Sequence, residues 1–508
     1  MIRCLPWLAG LRGWRANAAA AALGLLSALA LPPLHLLPVL LVAVPGLLAL
    51  IDATPGFRTA AIRGFWFGLA HHLVGLYWVT DAVLIEAARY WWLVPLAVPA
   101  LAVILAPFIA AACGIARLAE PGWRRASTLA GAWVLADLAR QFIATGFPWN
   151  LWGTDWAIPG ALGDVFLQPA AWVSVHGLTL ATLLIAATPA FGRRGAVIGV
   201  LGLLLWGGWG AWRLTSASPR PPQVVAVIVQ GDVPQSRKWD MHLAVATFDH
   251  YLVLTRAGIL NAHQTLPGDR PVVIWPESAS PFALPNDAGA RTEVVRALGG
   301  VPLLAGTVRF DAFERPANSL VAVVSADPPQ QIYDKWHLVP FGEYSPSWVP
   351  LAVQLVRGGG FVPGPGPKTL RIVGLPPVGA LICYEAIFPG QVVNESDRPS
   401  WLVNVTNDAW FGDSSGPRQH LAAARVRAVE EGLPLMRAAN TGISAGFDAY
   451  GRELGRLGLG KAGTLVLALP GPLPPTPFAR GGLLIPGALA TIALLAGLAP
   501  RRNRETQR

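Results

Sequence analysis

Three segments of this 508-residue sequence share one form: a β-branched apolar run that stops at a residue able to do chemistry. PVVIWPES (271–278) ends at Glu277, IYDKWHLVPFGEYSP (332–346) carries Lys335 and Glu343, and VGALICYEAIFP (378–389) carries Cys383. In an α/β sheet, reactive side chains gather at strand ends, where loops converge over a rigid scaffold. One carboxylate, one ammonium and one thiol from three strand ends would make an acyl-transfer site. The carboxylate takes the thiol proton, the thiolate attacks an ester or amide carbonyl, and the ammonium steadies the oxyanion. Taken singly, each residue has a plainer reading. Cys383 could finish a buried strand, Glu277 could be a solvated loop carboxylate, Lys335 a turn lysine, and Glu343 the partner of a neighbouring base.

The elements that must position these groups divide the chain unevenly. Hydrophobic residues make up 53% of the sequence and charged residues 13%, with 21 tryptophans, a balance that points to a bilayer. Crossing roughly 30 Å of hydrocarbon takes about 20 helical residues. Seven apolar runs precede residue 215, at about 16–32, 35–52, 62–82, 91–116, 127–147, 171–191 and 195–213, and an eighth covers about 481–499. The first is read as a retained helix, because a second span follows almost at once across Pro32 and Pro33. Residues 215–475 alternate strand-like runs with Gly- and Pro-rich turns, as a water-soluble α/β domain does. PGPLPPTP (470–477) reads as a stiff linker into the last span. The expected domains are thus 1–214 with seven transmembrane helices, 215–475 as the catalytic unit, and 476–508 as a final helix and tail.

Basic residues orient this arrangement. Arg3, Arg12, Arg15, Arg58, Arg63, Arg117, Arg124, Arg125, Arg193, Arg194, Arg501, Arg502 and Arg504 flank one set of loops. The alternate loops carry Asp81, Glu86, Asp155 and Asp164 against a single Arg89. Both termini are therefore expected in the cytoplasm and 215–475 on the far side. The formal charge of +10 belongs largely to this orientation, so nucleic acid is not an expected partner. Three cysteines far apart, without a CxxC pair, exclude a disulfide framework and a cysteine zinc site. Asp137 and Arg140, three apart in the fifth span, share a helix face and are either a structural pair or a headgroup contact.

The order Glu, Lys, Cys within WPES, YDKWHLVPFGEYSP and LICYEAIFP resembles the nitrilase superfamily. VQGDVPQSRKWD (229–240), HLVPFGEY (337–344), NVTNDAWFGDSSGPRQH (404–420) and RAANTGISAGFDAYG (437–451) narrow the resemblance to the bacterial apolipoprotein N-acyltransferase family, over essentially the whole chain. That resemblance implies an α-β-β-α sandwich on an eight-helix membrane bundle, in the bacterial inner membrane, with the sandwich in the periplasm. It implies Glu277 as general base, Lys335 as oxyanion stabiliser and Cys383 as nucleophile. Glu343 and Glu385 become supporting carboxylates that orient Lys335 and the incoming amine, Trp239 and Tyr384 line or gate the acyl site, and Trp410 and Phe411 wall it.

The implied reaction moves a fatty acyl chain from a phospholipid, such as phosphatidylethanolamine, through a Cys383 thioester. The acceptor is the α-amino group of a diacylglyceryl-modified lipoprotein cysteine. The alternative is a membrane-tethered amidase of small substrates, which gives no reason for seven preceding spans. No cofactor or metal is expected, and a monomer is. Asp232, Trp336 and Ser278 depart from the family pattern without removing a reactive group. SWVPLAVQLV (347–356), followed by Gly358, Gly359 and Gly360, is either a mobile arm dipping into lipid or a packed helix.

Overall fold

The computed structural model describes residues 6–85, 87–216, 221–238, 240–346 and 360–500. Trp239, the 347–356 segment and the basic residues at both chain ends lie outside the described residues.

Helices stand at all eight apolar runs: Gly13–Ala28, Leu40–Asp52, Phe57–Gly75, Val94–Ala116, Trp123–Phe142, Ala170–Ala187, Gly192–Leu214 and Leu484–Leu498. By length and composition, two helical stretches suffice to cross a membrane, Ala87–Ala116 and Ala170–Leu214, and Leu37–Asp52 and Leu484–Leu498 are shorter apolar helices. The Gly192–Leu214 helix inverts the soluble pattern. It buries Gly195, Gly199, Trp206 and Gly210 while Ile198, Leu201, Leu204 and Leu205 point outward. Ile104 on Val94–Ala116 and Ile492 on Leu484–Leu498 are likewise exposed.

Among the described residues the strands run, in chain order, as β1 (Val224–Gln230), β2 (Arg270–Trp275), β3 (Leu303–Phe310), β4 (Pro316–Val323), β5 (Ile332–Asp334), β6 (Thr369–Leu370), β7 (Val378–Ile382), β8 (Trp401–Thr406), β9 (Leu435–Ala439), β10 (Ser444–Phe447), β11 (Glu453–Leu457) and β12 (Gly463–Ala468). They form two six-stranded sheets, β12-β1-β2-β3-β4-β5 and β11-β10-β9-β8-β7-β6. The centres of both are parallel, β1 to β2 to β3 and β7 to β8 to β9.

Parallel strands need both faces covered, so their sequences read as near-continuous apolar runs, as VVAVIV of β1 does. In β1, Val224, Ala226 and Ile228 pack toward the second sheet, against a core holding Ala380, Ile382, Val403, Val405 and Met436. The alternate Val225, Val227 and Val229 pack on Phe248, Tyr251 and Leu252 of helix Ala244–Thr265. The outer face of the second sheet is covered by helix Gly416–Glu431, through Leu421, Ala424 and Ala428. That helix is buried on its other side too, where Ala422, Val426 and Val429 meet Leu151, Ala171, Val175 and Leu178 of the helical region. The PGPLPPTP segment is fastened to the sandwich: Leu473 N–H donates to Gly432 O, and the Thr476 hydroxyl donates to Glu430 O.

Candidate active site

Glu277 follows β2, Lys335 follows β5 and Cys383 follows β7. The first two strands belong to one sheet and the third to the other, so the groups meet across the sandwich rather than along one strand edge. Lys335 Nζ lies 2.8 Å from Glu343 Oε2 and 3.5 Å from Glu277 Oε1. The lysine is 1% exposed, the thiol residue 7%.

Backbone register brings Asn318 of β4 into this cluster, because Lys335 N–H donates to Asn318 O at 2.8 Å. Asn318 Nδ2 donates to Glu277 Oε1 at 2.7 Å and to Glu343 Oε1 at 2.8 Å. The Asn407 N–H, just beyond β8, donates to Glu277 Oε2 at 2.9 Å. Both Glu277 oxygens are thereby aimed. Lys238 adds a second buried ammonium, donating to the Glu277 carbonyl at 2.9 Å.

Burial opposes the Lys335 charge, but Glu343 and Glu277 outweigh it and hold the ammonium above the ordinary lysine range. Burial pushes the Cys383 thiol up to about 12, Glu277 adds to that, and Lys335 opposes it. A thiol in this state needs an adjacent base to become a nucleophile. Lys238 goes the other way: burial brings it down to about 8 against the pull of Glu277 and Cys383.

Cys383 opens the short turn Cys383–Ile387 at φ 49°. A side chain in this left-handed region costs about 1–3 kcal/mol and persists only where its surroundings over-determine it. Glu385 supplies one restraint: its carboxylate accepts from Ile382 N–H at 2.7 Å, Trp336 N–H at 2.8 Å and His337 N–H at 3.3 Å. It braces the backbone of both the thiol strand and the lysine loop. Tyr384 is buried, and its hydroxyl donates to Gly146 O at 2.8 Å. Around it Phe147, His337 and Phe388 form an aromatic group that joins the turn to the helical region. Phe411 packs on Trp78 and Trp149 of the same junction.

The pattern of the apolipoprotein N-acyltransferase N-terminal domain matches residues 23–188, and that of carbon-nitrogen hydrolase matches residues 272–471. An apolipoprotein N-acyltransferase of Rhodopseudomonas palustris is 37% identical, covering 96% of both chains. Those of Bradyrhizobium diazoefficiens and Caulobacter vibrioides are each 38% identical over 97% of this chain and 96% of their own. The chain belongs to the apolipoprotein N-acyltransferase family. An amidase from Nesterenkonia sp. overlaps 50% of this chain and 94% of its own, at 19% identity and a TM-score of 0.36.

As a member of the apolipoprotein N-acyltransferase family, the chain is an acyltransferase of the nitrilase superfamily. Strand-end reasoning locates Glu277, Lys335, Glu343 and Cys383, and the structure brings all four together. It does not single out Asn318, Asn407, Lys238, Asp408, His420 or Arg437. A signal for Asn318 exists in the sequence, a lone amide inside the apolar strand PANSLVAV. Asp408 and His420 sit within NVTNDAWFGDSSGPRQH, whose residues carry no visible partner until the chain is folded.

Proposed function

We propose that this protein carries an acyl chain from a phospholipid, phosphatidylethanolamine among them, to the α-amino group of a diacylglyceryl-cysteine at a lipoprotein N-terminus. The observation that carries this reading is a buried Cys383 whose thiol feels the charges of both Glu277 and Lys335, in a turn packed on aromatic residues of an outward-apolar helical region. Glu277 accepts the Cys383 proton as sulfur attacks the donor ester. The Lys335 ammonium steadies the oxyanion, and collapse expels the lysophospholipid alkoxide, which takes the proton from Glu277. The amine then attacks the thioester, its proton passes to Glu277, and collapse yields the amide and restores the thiol. Glu343 keeps Lys335 in place.

The lipid surface explains transfer in preference to hydrolysis. Each buried CH₂ contributes about 0.8 kcal/mol to holding a chain, and a thioester facing hydrocarbon is shielded from water. On this reading the eight helices are spans in a bacterial inner membrane, with both termini cytoplasmic. Residues 1–214 and 476–508 form the membrane part, and 215–475 the periplasmic catalytic domain.

Incubating the purified protein with phospholipid and weighing it intact tests the proposal. A mass increase equal to one acyl chain is expected on the wild type and absent from Cys383→Ala and Cys383→Ser. Steady release of free fatty acid, with no transfer to a lipopeptide amine, would favour a hydrolase of the amidase type instead.

A further inference from the structure

Helix Gly416–Glu431 carries two adjacent side chains, near its start, whose hydrogen bonds run to different layers, although the His420 ring also lies 5.7 Å from that of Trp149. Gln419 faces the helical region: its Oε1 accepts from Trp149 Nε1 at 2.7 Å and Trp78 Nε1 at 3.1 Å. Its Nε2 donates to Pro32 O and Gly75 O, each at 3.3 Å. His420, fully buried, faces the second sheet. Its Nε2 lies 3.0 Å from Cys383 O, and its Nδ1 lies 2.9 Å from Asp408 Oδ1. Arg437 Nη2 donates to Asp408 Oδ2 at 2.7 Å and lies 3.2 Å from His420 Nδ1. A carbonyl oxygen only accepts, so His420 Nε2 carries the proton in that bond.

Sheet pairing ends at Ile382, whose partner is Val405, so the β7–β8 ladder does not hold the Cys383 carbonyl. The residue at φ 49° is instead gripped on both sides. Glu385 holds Ile382 N–H before it, and His420 holds its own carbonyl after it. We propose that His420 is the positioning residue of the nucleophile. It clamps the Cys383 peptide in the left-handed conformation that aims sulfur at Glu277 and Lys335, while Gln419 ties the clamp to the helical region. The catalytic thiol is then set by the seating of the sandwich on the helices, and not by the sandwich alone. The inference rests on Cys383 being the nucleophile.

The test is alkylation of Cys383 by iodoacetamide in the full chain in detergent, with the modified site mapped by mass spectrometry, beside steady-state transfer kinetics. His420→Ala is expected to slow Cys383 alkylation about tenfold or more and to lower kcat similarly, leaving KM for the phospholipid within twofold. His420→Gln, whose amide can donate to the same carbonyl, is expected to recover most of both. Gln419→Leu is expected to slow alkylation by a smaller factor, and it carries the test if His420→Ala does not fold. Wild-type alkylation in a folded His420→Ala or Gln419→Leu would overturn the proposal. So would a His420→Gln protein no better than His420→Ala, because a histidine that only fills the core has no need of a donor. Alkylation measures the thiol without any acyl donor. If it responds as expected while the wild type never acquires an acyl chain, the clamp stands and the acyl-transfer reading falls.

Discussion

Asn318 Nδ2 stands 2.7 Å from Glu277 Oε1, so a neutral amide holds one oxygen of the carboxylate proposed to accept the thiol proton. The same nitrogen reaches Glu343 Oε1 at 2.8 Å, which leaves each carboxylate an oxygen for other partners: Asn407 N–H for Glu277, Lys335 for Glu343. Hydrogen bonds to charged groups contribute about 1.5–3 kcal/mol. Asn318→Leu is therefore expected to slow acylation of Cys383 about 10- to 100-fold, read in single-turnover mass spectrometry. An unchanged rate would remove Asn318 from the machinery.

Lys335 is the shared counter-charge of two buried carboxylates. Removing one member of a buried ion pair costs about 3–5 kcal/mol, because the partner is left uncompensated. Lys335→Met should lose that much in an unfolding titration, together with activity. Adding Glu343→Gln to it should recover part of the stability and none of the activity. Strictly additive losses in the double variant would contradict the shared charge.

A thiol raised to about 12 by burial and by Glu277 has no alkylation plateau at ordinary pH. Its rate with iodoacetamide should climb continuously from about pH 7 to 10, in step with the thiolate fraction. Glu277→Gln removes a negative neighbour, so it should shift this profile to lower pH while abolishing acyl transfer. A shift to higher pH would mean that Glu277 does not act on the thiol through its charge. The linkage has a defined sign: between the ordinary thiol value of 9.0 and about 12, the unfolded chain releases this proton and the folded one keeps it. The contribution of Cys383 to stability is complete below that window and falls as pH rises through it.

Gly306 on β3 passes close beneath the loop that carries Glu277. A Cβ there would lie 2.3 Å from Pro276 O and 2.6 Å from Glu277 Cα, both backbone atoms that must shift to make room. Gly306→Ala should lower kcat at least tenfold, since displacements of about 1 Å can cost about 100-fold. Gly208→Ala, where a Cβ meets nothing within 4 Å, should leave kcat within twofold. Equal effects of the two substitutions would detach the loss from Glu277.

Much of this architecture is legible in particular residues. VVAVIVQ is apolar at successive positions because β1 is covered on both faces, and PVVIWPES breaks at Pro276 where the strand must stop. Apolar runs announce all eight helices, although their ends differ by several residues from the runs; Phe57–Gly75 begins five residues before the run at 62–82. Glu385 is different. It reads as a supporting carboxylate for Lys335 and the incoming amine, and the fold adds what the sequence does not show: its oxygens accept from three backbone N–H groups. A carboxylate's partners are backbone atoms of other segments, which leave no trace in side-chain pattern.

The sequence by itself determined which residues could react and which strands and helices would carry them. Periodicity, strand-ending prolines and side-chain chemistry act over a few neighbouring residues. Only the tertiary structure decided that β5 and β7 belong to different sheets, that Lys335 and Cys383 meet across the sandwich, and that Asn318 and His420 join them. Those meetings depend on strand register and on sheet-to-sheet and helix-to-sheet packing. Such contacts link segments separated along the chain, His420 to Cys383 and Asn318 to Glu277, and their energy exists only once the layers have closed.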